Sequence, residues 1–431
     1  MRKLEEITSQ ALKEMNALGA QQCSAQAYES ESRELNVEGG AFSLYRTTLD
    51  NSLSLQVIKS QRRGTVSGNS FDMEDIKSAA RDCVSSADAG QPDDAWDMAK
   101  QGQGDFEDGA FAPDMDQLFS RSRELLDTIK ASYPKIIVEQ MIVSHTAARG
   151  IYQNSNGVLY RRKTGQYSAQ LMFSGHEGDK SSSFNGAGVV TDSLDVPFIE
   201  LGSIRDNLRD AQNQIHTISP EGKYEGTVVF TPDCLGSLLY ELLSNYASDS
   251  VLLDGTSQWK NKLNMQVADK RITLSMSPLD SRVAGGERYT PEGFLSQNYH
   301  LIEGGVLRQF MLSHYVARKT GLLRAPNAGG NLIMKRGDEP LADIIGRIKK
   351  GLLVARYSGG AAGANGEFSG VAKNSFLIED GKIASAVAET MISGNLAGML
   401  NQVAGISSET VEDGSGSLPF MAVNGITISG K

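Results

Sequence analysis

Near the start of the chain, Leu4, Ile7, Ala11, Leu12, Met15 and Leu18 recur at helical spacing, which predicts an amphipathic helix over residues 3–19. The pattern then changes period. "AQAYESESRELNVE", "SLSLQVIKS" and "RGTVSGN" alternate apolar and polar positions and predict strands. "DMEDIKSAARDCVSSA" returns to helical period, with Asp72 placed to cap it. Residues 1–92 thus read as a small α+β unit. "GQPDDAWDMAKQGQGDFEDGAFAPD" has no period, is acidic and is rich in glycine. It predicts a linker or long surface loop over residues 93–113.

The order of helix, strands and helix then repeats over residues 114–220, without visible sequence repetition. "MDQLFSRSRELLDTIKASY" opens this unit and "LGSIRDNLRDAQNQIHTI" closes it. Between two of its strands, "NSNG" (Asn154–Gly157) marks a hairpin, because Asn and Gly tolerate the positive φ such turns need. Residues 221–431 are β-rich, with hairpin turns at "EGG" and "EDGK". Much of the glycine (45 of 431 residues) falls in this part. The expected fold class is α+β: two units of helix–strands–helix order, followed by a β-rich, glycine-rich C-terminal domain with a few helices.

One helix in that last part bears on function. Leu235, Leu238, Leu239, Leu242, Leu243 and Tyr246 form one apolar stripe. Ser237, Glu241, Ser244 and Ser248 fall on the opposite face. The residues by themselves predict a core helix with a solvated glutamate.

Composition narrows the choice of chemistry. At 40% hydrophobic and 22% charged residues the chain reads as globular, and its formal net charge of -10 argues against a nucleic-acid partner. Arg161, Arg162 and Lys163 form a basic triplet, read as a solvated loop or strand end, with a local basic patch as the alternative. Cys23, Cys83 and Cys234 lack metal or disulfide spacing and fit a reducing compartment. No apolar run is long enough to span a bilayer, and the charged, helical N-terminus does not read as a secretory leader. A cytoplasmic location is the expectation, with no membrane partner.

Motif searches yield little catalytic chemistry. His145, His176, His216, His300 and His314 show no metal-ligand spacing and read as structural or exposed. No nucleophile elbow or phosphate loop of the Walker type occurs. "SGGAAGANGEFSG" (residues 358–370) lacks the spacing of a nucleotide loop and reads as flexible or close-packed, with a loop along a bound backbone as the alternative.

Several longer stretches together resemble the TldD/PmbA (modulator of gyrase) family. They include "SLSLQVIKSQRRGTVSGN", "GTVVFTPDCLGSLL", "NYHLIEGGVLRQFMLSHYVARKTG", "GGNLIM", "SFLIEDGKI" and "AETMISGNLAGMLNQV". The resemblance spans nearly the whole chain. It implies a two-subunit metallopeptidase, in which one subunit type carries HExxxH on a helix and a distant Cys completes the zinc set. In this sequence "LLYELLSNYASDSVLLDGTS" (residues 238–257) occupies the place of that motif. Aligned so, Tyr240 and Asn245 stand for the two His, and Glu241 for the Glu. The third ligand falls on Val411 or Asp413 in "TVEDGSGSLPF".

The resemblance therefore implies a PmbA/TldE-like subunit without catalytic residues or metal of its own. Zinc is expected in an HExxxH-bearing, TldD-like partner, and unfolded peptides are the expected substrates, bound as an added β-strand. Two alternatives stand beside this: a homodimeric or larger homo-oligomeric peptide binder, and a hydrolase with atypical ligands such as Glu241, Asp413 and a histidine from elsewhere. Within "APNAGGNLIM" (residues 325–334), Gly329 and Gly330 would let a peptide backbone approach, and Asn327 and Asn331 would add amide hydrogen bonds to it. The alternative for this segment is a plain bulge or turn.

Overall fold

The N-terminal apolar repeat folds as α1 (Arg2–Ala17) and buries Leu4, Ile7, Ala11 and Met15. The helix stops two residues short of the expected end, because Gly19 takes a φ of 87° and turns the chain. The computed structural model of the chain describes residues 2–388 and 390–431. Glu389, in the "AETMISGNL" stretch, lies outside the described residues.

The alternating stretches that follow become β1 (Gln22–Glu38), β2 (Ala41–Lys59) and β3 (Arg62–Gly68), succeeded by α2 (Met73–Ala89). The next elements are β4 (Gly102–Gly109), α3 (Met115–Ser132), β5 (Ile136–Asn154), β6 (Val158–Glu177), β7 (Lys180–Ser181), β8 (Asn185–Thr191) and α4 (Ile204–Asn213). The two helix–strands–helix units are not separate sheets. β1 pairs antiparallel with β5, giving one sheet of order β3-β2-β1-β5-β6-β4, with β8 beside the second half of β6. α1 and α2 cover one end of this sheet around Leu53, Leu55 and Val57. α3 and α4 cover the other around Val143, Leu171 and Phe173.

The reading of residues 93–113 as a linker or surface loop is corrected. Gly102–Gly109 is a strand, paired in parallel with β6. Its acids neutralise the basic triplet across the pairing: Asp105 meets Arg161, Glu107 meets Lys163 and Asp108 meets Arg162. Neither a free linker nor a solvated basic patch is present. Each stretch supplied the other's counter-charges, and periodicity alone cannot report such a long-range pairing.

The C-terminal part begins with β9 (Thr217–Ile218), β10 (Lys223–Phe230), α5 (Pro232–Ala247) and α6 (Asp249–Leu253). Next come β11 (Leu274–Met276), β12 (Tyr299–Glu303), β13 (Val306–Leu307), α7 (His314–Thr320) and β14 (Leu332–Met334). β15 (Lys350–Val354), β16 (Arg356–Gly359), β17 (Glu367–Lys373), β18 (Ser375–Glu379), β19 (Lys382–Val387), β20 (Met391–Asn395), β21 (Val403–Glu412) and β22 (Ser417–Ser429) complete the second sheet. Its main path runs β13-β12-β11-β14-β22-β10-β15-β18-β19-β9. β22 is its spine, bonded to β10, β14, β20 and β21. The "EGG" and "EDGK" turns close the β12–β13 and β18–β19 hairpins, with two successive positive-φ residues in each (Gly304 and Gly305; Asp380 and Gly381).

The two parts meet at a seam built from the same acidic stretch. Trp96 stacks on Tyr315 of α7 at 3.8 Å, and Asp93 pairs with Lys319 and Tyr315. Asp108, nearly buried, also pairs with Arg288, while Tyr152 and Tyr160 pack against Tyr289. No helix among the described residues is long and apolar enough to cross a membrane.

Candidate functional site

α5 is capped at Thr231, whose hydroxyl accepts from the Cys234 N–H, and opens with Pro232, which needs no N–H partner there. The six residues of the apolar stripe are all buried in the C-terminal core. The helix is α-helical throughout, so positions five apart diverge by about 140°. Tyr240 and Asn245 accordingly leave the helix in different directions.

The polar face is less solvated than its sequence suggests. Glu241 is half-buried, and its carboxylate accepts the backbone N–H of Ala362. That residue belongs to the connection between β16 and β17 (residues 360–366), the middle of the glycine-rich stretch 358–370, whose two ends pair as strands and are not loop; the connection lies against the helix. Tyr246 donates to the Asn365 carbonyl at 3.1 Å, and a Cβ on Gly366 would sit 2.0 Å from the Tyr246 hydroxyl. The solvated glutamate of the sequence reading is thus corrected: a loop 121 residues away uses it as an anchor.

Tyr240 points the other way, into a cleft of about 270 Å³. The cleft is lined by Pro232, Asp233, Gly236, Ser237 and Tyr240 of α5, Leu332 of β14, and the turn from Val411 to Leu418. Both alternatives for the third family position, Val411 and Asp413, therefore face Tyr240. Asn245 does not line this cleft, nor does any of the five histidines. The Tyr240 hydroxyl accepts from Leu332 N–H at 3.4 Å, a long bond. Burial pushes the phenol above its usual range, and the negative charge of Asp413 adds to the rise.

Asp413 is held by its own turn. Its Oδ1 accepts from Ser415 N–H (2.8 Å), the Ser415 hydroxyl (2.8 Å) and Gly416 N–H (3.0 Å). Gly414 has a φ of 81°, and a Cβ there would stand 1.8 Å from the Val190 carbonyl. That close approach carries the bond from Val190 N–H of β8 to the Asp413 carbonyl (2.8 Å). The cleft continues across this contact into a shallower groove of about 470 Å³, lined by Gly186–Val190 of β8, Gln170, Ser203, Asp233, Asp413 and Ser415. Asp233, in both, accepts from Ser203 (2.8 Å) and Asn207 (3.3 Å) of the N-terminal part.

The segment 325–334 divides. Asn327 is buried, and its amide is fully used: it donates to the Met276 and Gln297 carbonyls (3.1 and 2.9 Å) and accepts from Gly329 N–H (2.9 Å). It has no donor left for a peptide, which corrects the expectation. Gly329 takes a φ of 88° beside Met311, so it serves a turn. Asn331 donates to the Ser415 carbonyl at 2.9 Å and so braces the cleft's turn. Gly330 is exposed with open space where a Cβ would stand.

The histidines stay apart: His145 bonds to the Ala110 carbonyl, His176 to Ser174, His216 to Glu177 and His300 to Ser275, and His314 faces Asp97. Among the described residues, no group of three His, Cys, Asp or Glu side chains is placed to hold a metal. Sequence reasoning missed Asp233, Ser415 and the β8 edge. Their signals are a helix-start acid and a Gly-Ser turn, both too common to single out.

Comparison with known proteins completes the description. Residues 221–430 match the PmbA/TldA metallopeptidase C-terminal domain, and residues 23–87 match PmbA/TldA metallopeptidase domain 1. A metalloprotease of Methanothermobacter thermautotrophicus is 29% identical over 202 residues, so the match spans less than half of each chain (44%). A metalloprotease PmbA homolog of Buchnera aphidicola is 26% identical over 408 residues, 88% of this chain and 84% of that one. The crystal structure of TldE from Thermococcus kodakarensis shares the fold, with a TM-score of 0.83 at 20% identity over 99% of this chain and 100% of that chain.

Proposed function

The chain belongs to the PmbA/TldD metallopeptidase family, and from that membership we propose that it is the non-catalytic subunit of a TldD/TldE-type assembly acting on unfolded peptides. The observation that carries this reading is that both carboxylates at the family's motif positions already accept hydrogen bonds from the chain itself, and that the two remaining positions hold no zinc ligand. Zinc takes Cys, His or carboxylate ligands in a near-tetrahedral set. Here the two His positions hold Tyr240 and Asn245, which point apart. The Glu241 carboxylate is tied to Ala362, and Asp413 is tied to its own turn. These residues do not fit a zinc ion. On this reading the metal and the water-activating base belong to an HExxxH-bearing partner, and this chain supplies a wall of the peptide path in the cytoplasm.

The groove beside β8 supports peptide contact by strand addition. Among the described residues β8 pairs with β6 and β7 does not reach it, so its outer edge from Gly186 to Val190 lines the groove; the Val190 N–H is taken by the Asp413 carbonyl and the Gly186 carbonyl by Asn207, which leaves the backbone around Gly188 for a peptide. An extended peptide could bond to that backbone with little sequence preference.

The test has two arms. Elemental analysis of the purified chain should find no stoichiometric zinc, and the chain alone should not cleave an unfolded peptide. Co-expression with an HExxxH homologue from the same genome should give a complex that does. About one tightly held zinc per lone chain, lost together with activity in Glu241→Gln, would overturn the reading.

A further inference from the structure

Both helix pairs of the N-terminal part cover the same face of its sheet. Ala25 and Ala27 of β1 pack in the core under α1 and α2, and Leu35 and Val37 in the core under α3 and α4. All four are odd-numbered positions of one strand, so period two puts them on one face. Between the two helix pairs this face opens into a cleft of about 480 Å³ that no helical residue lines. Here Glu29, Glu31 and Arg33 of β1 stand opposite Arg149, Ala147 and His145 of β5. Ala147 in turn stands opposite Gly165 of β6. These two small residues leave a hollow among larger neighbours. A Cβ on Gly165 would sit 1.9 Å from the Ala110 carbonyl, so the segment from Ala110 to Pro113 packs down on β6 and walls the cleft. Its size falls within the range of small-ligand sites, roughly 300–1,000 Å³.

Two acids and two bases supply the charge of this cleft. Glu31 pairs with Arg33 (2.5 Å) and Glu29 with Arg149 (3.5 Å). Among the described residues each glutamate is bonded through one oxygen only. Arg149 is underused. Its guanidinium lies 4.7 Å from the centroid of the Phe111 ring, and its hydrogen bond to Glu29 is long. Its Nε is buried and has no partner among the described residues. A buried donor left so marks a place for an acceptor. His145 adds no charge. Its Nε2–H donates to the Ala110 carbonyl (2.7 Å), and burial pushes the imidazole below its usual range, so the ring is neutral at neutral pH.

We propose that this cleft binds a small zwitterion, an α-amino acid or dipeptide with an apolar side chain. The planar fork of an arginine suits a carboxylate. A simple anion on Arg149 would stand beside the Glu29 carboxylate, and a simple cation on Glu29 would stand beside the guanidinium. A ligand that carries both charges answers both: its carboxylate takes the spare donors of Arg149, and its ammonium takes the free oxygen of Glu29 or Glu31. Its side chain enters the hollow at Ala147, against Phe111 and Pro113. None of these residues lines the cleft at α5 or the groove beside β8, so the proposal does not rest on the proposed function.

The experiment is isothermal titration calorimetry on the full chain with two probes, free leucine and the dipeptide leucyl-leucine. At least one should bind saturably at a single site. The N-acetylated form of that probe lacks the cation and its amide lacks the anion. Each should bind about tenfold or more weakly, as should the unmodified probe to Arg149→Gln. Ala147→Leu keeps every charge but fills the hollow, and should abolish binding. Melting curves report whether each variant folds. Should Arg149→Gln fail to fold, Ala147→Leu and the two blocked probes still decide. No saturable heat from either probe, blocked forms that bind as well as the free one, or an affinity unchanged in both variants would overturn the proposal.

Discussion

α5 and the outer half of β2 treat similar side chains in opposite ways. Each carries leucines and a tyrosine at the spacing proper to its own structure. In α5 the stripe from Leu235 to Tyr246 is wholly buried under the chain's own strands. In β2, Leu44, Tyr45 and Leu49 project into solvent. The same apolar content is core in one place and uncovered surface in the other. What differs is whether the chain has an element left to cover it: α5 sits over the second sheet's spine, whereas β3 is only seven residues long and stops at Gly68. The apolar side chains on the outer half of β2 therefore stay exposed along a strand edge that no described strand covers.

The comparison breaks most visibly at α5. Leu239→Asp or Leu242→Asp buries a charge without a partner and should cost about 4 kcal/mol or more of stability. Urea unfolding would measure it, and a normal midpoint in both variants would mean that the stripe is not core. Next in size is the seam. Asp108 faces two guanidinium groups, and Asp108→Ala leaves both without it. Because Arg162 and Arg288 keep partial solvent contact, the expected loss is about 2 kcal/mol, read from the same unfolding curves.

Smaller again is the contrast between two adjacent glycines. Gly329→Ala forces a Cβ onto a φ of 88° and should cost about 1–2 kcal/mol, whereas Gly330→Ala enters open space and should cost under about 0.5 kcal/mol. Equal melting temperatures for the two would show that the turn at 329 is relaxed. The smallest effect on the single chain belongs to β2. Leu49→Lys should shift its stability by no more than about 0.5 kcal/mol, because the side chain is already exposed. A loss as large as that of Leu239→Asp would erase the distinction between the two regions.

Much of the fold was legible in the pattern of side chains. The four N-terminal helices, the Asn154–Gly157 hairpin and the turns at Gly304 and Asp380 all follow from local rules. At the candidate site, the alignment of Tyr240 with Val411 or Asp413 was legible only through resemblance, since nothing local links residues so far apart. Asn327 was misread because an exposed-looking Asn in a Gly-rich stretch gives no sign of being closed on both sides by backbone carbonyls. Glu241 was misread for the same reason, as its partner is a backbone N–H with no side chain to signal it.

By itself, then, the sequence determined which segments are helical or extended and which faces are apolar, because periods of 3.6 and 2 are properties of consecutive residues. Only the tertiary structure decided who meets whom. It turned an aperiodic acidic stretch into β4 by bringing Arg161–Lys163 beside it. It closed Glu241 with Ala362, and it set Tyr240 over Leu332 and Asp413. It also paired Ala41–Ser52 with β1 on one side and, among the described residues, left its other side without a strand. Periodicity states that a face must be covered; which strand arrives to cover it depends on contacts between residues distant in sequence.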